Sequence, residues 1–289
     1  MSVIRLLETP EEMTAVEELQ RQVWPGSETG IVPAHLLITA AHNGGLVLGA
    51  FEADKMVGFV FGFAGLESLP DGGRAKHCSH MLGVLDSHRD SGLGFALKRA
   101  QWQMVRHQGL DHATWTYDLL LSRNAHLNIA KLGAVCNTYL LNVYGDMEDE
   151  LNAGLPSDRF QVDWWLRSRR VEQRLDKRAR GTLGLSHFQL AGTQFLYSPA
   201  TRPNGLVQPT EHFSPPDERL ALAEIPSDFL SLKDADFPLA RDWRFFSREV
   251  FETVFQAGYL VTDFVFDRPT GKSFYVLANG DAVLGEEET

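Results

Sequence analysis

Hydrophobic and polar positions change period several times along this chain. Ile4 to Leu7 is a short apolar run suited to a first strand. Thr9-Pro10-Glu11-Glu12 then carries a helix-start signature: a capping Thr, Pro in the first turn and acids beside it. The helix should run to about Val23 and stop before Pro25-Gly26, with a second, short helix over Pro33 to His42. From there the period shortens. Leu46 to Glu52 and Met56 to Phe63 flank the polar turn Ala53-Asp54-Lys55 and read as a hairpin. A Gly/Pro/Asp loop (Pro70 to Gly73) leads to a further strand, His77 to Leu85.

Helical spacing returns from Gly92 to Gln108, where Leu93, Leu97, Ala100 and Met104 make one stripe and Gly109 ends it. Ala113 to Tyr117 is a strand, Asn124 to Leu132 a short helix stopped by Gly133, and Ala134 to Val143 and Gln161 to Leu166 are two more strands. Strand–helix–strand–helix–strand order after an early hairpin predicts an α/β (α+β) fold with a mixed central sheet flanked by helices. Beyond a basic segment, Arg167 to Arg180, residues 181–216 are polar and irregular and read as a linker. A second unit then follows. It has a strand at Leu220 to Ile225, a long helix from about Pro238 to Ala257, and strands at Tyr259 to Phe266 and Lys272 to Leu277. Twelve of the 18 Phe lie after residue 187, giving this tail its own apolar core. The division expected is therefore 1–166, a basic helix and linker over 167–216, and a smaller α+β unit over 217–289, ending in a solvated Glu286-Glu287-Glu288.

Composition narrows the function classes. The 289 residues are 44% hydrophobic and 22% charged, ordinary for a globular chain. Two cysteines, Cys78 and Cys136, exclude a disulfide framework and read as reduced thiols. The net charge of −11 gives no global attraction for nucleic acid or an anionic membrane. No apolar run reaches the roughly 20 residues of a membrane helix, and Glu8, Glu11 and Glu12 stand where a signal peptide would be basic. A cytoplasmic protein is the expectation, with no nucleic-acid or membrane partner. The Arg167 to Arg180 segment holds seven Lys/Arg against two acids. It reads as a solvated or inter-unit helix in preference to a site for an anion.

The chemistry lies between Met81 and Leu97. A strand runs directly into Arg89-Asp90-Ser91-Gly92-Leu93-Gly94 and then into a helix. Glycines let backbone N–H groups approach a phosphate, and the helix N-terminus adds a favourable partial charge. A P-loop would need Lys-Ser/Thr after the second Gly, where Phe95-Ala96 stands. A dinucleotide fingerprint would need Gly or Ala at Leu97. The remaining pattern, Arg/Gln-x-x-Gly-x-Gly/Ala after a strand, resembles the pyrophosphate loop of the GNAT N-acetyltransferases. Asn124 followed by Lys131-Leu132-Gly133-Ala134 resembles that family's second motif, and the element order over roughly the first 165 residues is similar to the family's. The layout as a whole resembles a group of uncharacterised bacterial GNAT proteins with an extra C-terminal domain.

The resemblance implies an acyltransferase that moves an acetyl group from acetyl-CoA, its co-substrate, to a small-molecule amine, without a metal. It implies that Arg89, Asp90, Ser91, Gly92, Leu93 and Gly94 offer amides to the coenzyme A pyrophosphate. Leu82, Gly83 and Val84 would end a strand that splays from its neighbour and pairs with the pantetheine arm. Asn124 would contact that arm, although Ser122 holds the more usual offset. His80, nine residues ahead of Arg89, matches a histidine that takes the amine proton in aralkylamine-type members. Imidazole, with a pKa of about 6.5, suits that task; the competing role is a structural histidine in the sheet. The family's general acid, a Tyr four residues before the second-motif Gly, is replaced here by Ile129. Tyr117 and Tyr139 are candidate substitutes, with a packed ring whose hydroxyl lies at the surface as the other role for Tyr117. His77-Cys78-x-His80 does not read as a metal site, because neighbours on a strand point to opposite faces.

Two readings of different class follow: an N-acetyltransferase, or a catalytically silent CoA-binding sensor or scaffold, the latter prompted by Ile129. A tandem transferase would need a second phosphate loop, and Thr270-Gly271-Lys272 sits in a hairpin turn instead. An exposed sheet edge would allow a homodimer.

Overall fold

The computed structural model describes all residues except 1, 27, 29, 71, 148–151, 177–182 and 280–289. Asp71 in the Pro70 to Gly73 loop, the end of the basic segment and Glu286-Glu287-Glu288 lie outside the described residues. The chain forms two compact units. The first takes residues up to Trp115 with 152–153 and Trp164–Arg167; the second takes Thr116–Met147, Gly154–Asp163 and residues from Ser168 on.

The first unit opens with β1 (Val3–Leu6), α1 (Pro10–Val23) and α2 (Ala34–His42). A complete capping box starts α1: the Glu12 amide donates to Thr9 Oγ1, and the Glu12 carboxylate accepts from the Thr9 and Glu8 amides. Such a cap is worth about 1 kcal/mol. Strands β2 (Leu46–Glu52), β3 (Lys55–Leu69), β4 (Gly72–Val84) and β5 (His112–Tyr117) follow, with α3 (Leu93–His107) between the last two. Within this unit β1 to β4 pair antiparallel in order, and β5 adds parallel to β4. Met13, Val16, Leu19 and Val23 of α1 pack with Val47, Phe59 and Phe61 in one core on one face of the sheet.

Strands β3 and β4 are longer than expected. Pairing continues from Ala64↔His77 to Leu69↔Gly72, through residues outside both expected strands and into the expected loop at Gly72 and Gly73. The cross-strand Glu67–Arg74 ion pair at 2.7 Å helps hold that polar extension.

The second unit holds α4 (Ser122–Ala125), which continues as a π-helical segment His126–Lys131, then β6 (Val135–Leu140), β7 (Arg159–Trp165, whose last two residues count with the first unit), α5 (Arg169–Leu175) and α6 (Leu185–Leu190). Short strands β8 (Gln194–Phe195), β9 (Ala200–Thr201) and β10 (Val207–Gln208) precede β11 (Leu220–Ile225), α7 (Phe229–Ala235), α8 (Phe237–Gln256), β12 (Leu260–Asp267) and β13 (Lys272–Ala278). Its strands run in the order β7-β6-β12-β13-β11-β8. Phe160 is its aromatic centre, against Tyr117, Tyr139, Phe251, Phe255 and Tyr275.

The compact units depart from the expected division after residue 166, because β6 pairs with β12 through Val261↔Cys136 and so draws residues 116–147 to the tail. Residues 181–216 are also more than a linker: Leu185 and Phe188 share a core with Leu222, Val265, Phe274 and Val276, and β8 pairs with β11. Two arginines of the basic segment serve the fold. Arg170 donates to Gly133 O (3.0 Å), and Arg174 to Ala130 O (2.7 Å) and to the Asp263 carboxylate (2.6 Å). They cap carbonyls at the end of the π-helical segment, groups a helix terminus leaves without partners.

Candidate functional site

Strand β4 has two local features before it reaches the loop. Phe61 pairs with Met81 and Gly62 with Ser79, so His80 is the extra residue of a bulge. Pairing with β5 consists of His77↔Ala113 and Cys78↔Thr114. Ser79 to Val84 therefore run on beyond the β4–β5 ladder while still paired to β3. The result is a fork in the sheet with one strand edge free of the ladder. Gly83 is small for a packing reason too, since a Cβ there would lie 2.6 Å from the Phe59 ring.

After Val84 comes a short 3-10 turn, Asp86–His88. Asp90 and Gly92 both take left-handed backbone, with φ of 63° and 83°. Gly92 is the N-cap of α3 and supplies no side-chain cap; the Leu93 amide donates to Ser91 Oγ (3.4 Å). A Cβ at Gly92 would meet nothing within 4 Å. The loop is braced from its flanks: Ser91 Oγ donates to His88 O (2.6 Å), Arg89 pairs with Asp86 (2.7 Å), and His88 Nε2 lies 2.7 Å from the Glu52 carboxylate. The His88 hydrogen bond holds the Glu52 carboxyl below its ordinary range. A glycine-bounded turn at a helix start, held by its own side chains, is the kind of backbone that could hold a phosphate.

His80 is exposed on the bulge, its ring 5.9 Å from both Phe61 and Phe63. That apolar setting lowers its pKa, so the imidazole is neutral and able to accept a proton near pH 7. His77 points the other way and is fully buried; burial pushes its pKa down to about 3. The two histidines thus occupy separate environments, as strand alternation requires.

The other candidates belong to the second unit. Tyr117 is buried, and its hydroxyl lies 3.1 Å from that of Tyr275, which donates to Leu119 O (2.7 Å). Burial raises its pKa far above the usual tyrosine value. Placed so, Tyr117 is a core residue with its hydroxyl inside as well as its ring, where the packed-ring reading expected that hydroxyl at the surface. Tyr139 donates to the buried Asp158 carboxylate (2.9 Å) and is equally engaged. Ser122 is tied to Ser273 (2.9 Å) and is not free to reach a ligand, whereas Asn124 is half-buried on α4. Ile129 is fully buried.

Sequence reading missed one buried group. Lys98 of α3 is 2% exposed, and its Nζ donates to Ser79 Oγ (2.9 Å) and Gln101 Oε1 (2.8 Å) and lies 3.6 Å from the centre of the Trp115 ring. The available signal was strict four-residue spacing: Leu93, Leu97, Gln101 and Val105 form the deep face, which the stripe through Ala100 and Met104 concealed.

No protein-family model matches the sequence, and no curated protein matches it. Solved structures of GNAT acetyltransferases match about 57% of the chain. An acetyltransferase of the GNAT family from Streptococcus pneumoniae is 15% identical, over 56% of this chain and 98% of its own, with a TM-score of 0.45. Aminoglycoside 6'-acetyltransferase type Ii is 17% identical, over 58% and 99%, with a TM-score of 0.44. The NatC complex bound to Gag peptide and CoA is 12% identical, over 56% and 96%, with a TM-score of 0.43. Among the described residues no helix is long and apolar enough to cross a membrane.

Proposed function

We propose that the chain is an acyl-CoA-dependent N-acetyltransferase acting on a small-molecule amine. The observation that carries this is the continuity of fork, bulge and loop. Strand β4 leaves β5 after Cys78 and ends at Val84, and the chain then passes through the Asp90–Gly92 turn into the start of α3. Arg89 to Gly94 would hold the donor's pyrophosphate by backbone amides, and Leu82 to Val84 would lie along its pantetheine arm. Acetyl-CoA would supply an activated acyl group. The chain's own part is to orient that group at the fork and to remove the amine proton at His80 Nδ1 or Nε2, directly or through a water.

Calorimetric titration with acetyl-CoA and with free CoA tests the reading. Micromolar binding of either ligand supports it, and no binding at millimolar ligand overturns it. With an acceptor in hand, His80→Ala should lower kcat by about 10²-fold or more and leave acetyl-CoA affinity unchanged. The buried Ile129 and the engaged Tyr117 hydroxyl favour a second reading, a CoA-binding sensor without transfer. It expects acetyl-CoA affinity with no acetylated product across a broad panel of amines.

A further inference from the structure

Lys98 lies where the sheet forks. Ser79 is the first β4 residue past the Cys78↔Thr114 pair, and Trp115 is the first β5 residue past it. The Lys98 ammonium touches both, the Ser79 hydroxyl at 2.9 Å and the Trp115 ring centre at 3.6 Å, with Trp164 at 5.0 Å. Its three N–H donors have three acceptors: Ser79 Oγ, Gln101 Oε1 and the Trp115 face. All are neutral. The titratable groups that bear on it are His77 and Cys78 of β4. His77 accepts from Gln101 through Nε2 (3.0 Å) and is neutral, and burial raises the Cys78 thiol, which keeps it protonated. No carboxylate figures among the influences on Lys98. A buried cation with only neutral partners is costly, and an arriving anion would relieve it.

We propose that Lys98 is the electrostatic partner of the leaving thiolate, a buried ammonium under the fork that stabilises the sulfur anion as the thioester breaks, in the role left vacant at Ile129. The inference rests on the acyl-CoA reading above. In the step concerned, the lone pair of a primary amine attacks the thioester carbonyl and a C–N bond forms. The C–S bond breaks, its electron pair stays on sulfur as the thiolate, and the amine proton leaves to His80 or water. The products are the amide, the thiolate and one proton. Burial draws the Lys98 ammonium well below the ordinary lysine range, and a thiolate alongside would restore it.

The test reads the thiol and needs no acceptor. Protein saturated with free CoA is titrated with pH and the ultraviolet absorbance of the thiolate is followed, with the acetyl-CoA complex as the blank that cancels Cys78 and Cys136. The wild-type complex should ionise its bound thiol at a pH lower by about one unit or more than CoA in solution. Lys98→Met should return that midpoint to the solution value while acetyl-CoA affinity stays within about threefold, and Lys98→Arg should keep part of the shift. A wild-type midpoint equal to that of free CoA overturns the inference, as does an unchanged shift in Lys98→Met. The wild-type comparison stands even where a variant fails to fold. Absence of CoA binding in the wild type is a separate result, and it removes the acyl-CoA reading itself together with this inference.

Discussion

Each unit buries a cation, and the two are treated differently. In the second unit Arg244 of α8 is 1% exposed and grips the Asp118 carboxylate with both terminal nitrogens, at 2.9 and 2.5 Å. In the first unit Lys98 is as deep and is surrounded by a hydroxyl, an amide and an indole. Charge met by charge in a fixed fork is the arrangement of a structural anchor. Charge met only by dipoles keeps its field for something else. The largest effect should therefore come from the anchor. Arg244→Ala leaves Asp118 buried without its main partner, and a loss of about 3–5 kcal/mol is expected, read from chemical denaturation. Burial alone would raise Asp118, but the Arg244 guanidinium outweighs it and the carboxyl sits below its ordinary range. Its stabilisation is complete above the unfolded value of about 3.9 and is lost as pH falls through the lower folded value. Wild-type unfolding should thus steepen below about pH 4, and the variant should lose that part of the profile.

Next in size is the loop. Gly92 has φ of 83° and open space where a Cβ would be. Gly92→Val should cost about 1–2 kcal/mol from left-handed backbone and reduce acetyl-CoA affinity by at least about tenfold by crowding the amides. Wild-type affinity in that variant would separate the loop from the donor. Smaller still is Tyr117→Phe. The Tyr275 hydroxyl keeps its bond to Leu119 O, so only one neutral contact disappears and about 1 kcal/mol is at stake. Acetyl-CoA affinity and any transfer rate should not move. A large fall in transfer by a folded Tyr117→Phe would return that phenol to the chemistry.

These contrasts also mark how far the sequence could be read. Where one local signal dominates, elements came through to the residue: α1 from its Thr-Pro-Glu-Glu start, β2 and β11 from short apolar runs. The turn between β4 and α3 came through because two glycines and a strand-to-helix change are local facts. What failed depends on distant pairing. Residues 64–69 and 74–76 carry no strand signal of their own, and their pairing shows only where Arg74 meets Glu67 across the hairpin. The units divide near residue 115 because Cys136 pairs with Val261, far along the chain. Tyr117 reads as either a candidate acid or a packed ring with its hydroxyl at the surface, and the Tyr275 hydroxyl beside it is a partner from far along the chain. Lys98 was passed over for a related reason: a polar residue on a helix is assigned to solvent, and the Trp115 and Ser79 contacts that hold it inside are brought by two strands.

That burial makes the last prediction, the smallest in stability and the most specific. In Lys98→Met the Ser79 hydroxyl still donates to Gln101 Oε1 at 3.0 Å, so no new polar group is orphaned. The thioether takes up much the same space against the Trp115 and Trp164 rings, without the cost of a dehydrated charge. Stability near neutral pH should therefore be unchanged or higher, while a loss above about 3 kcal/mol would make Lys98 a structural residue after all. The sign of the pH dependence checks the same point. Burial lowers the folded pKa of Lys98, so on the alkaline side the unfolded chain binds the extra proton. Wild-type stability should rise with pH toward the unfolded lysine value of about 10.4, with a slope approaching about 1.4 kcal/mol per pH unit. Lys98→Met should lack that slope. Equal slopes in the two proteins would mean that Lys98 titrates like a surface lysine, and the contrast with Arg244 would then be one of partners and not of charge.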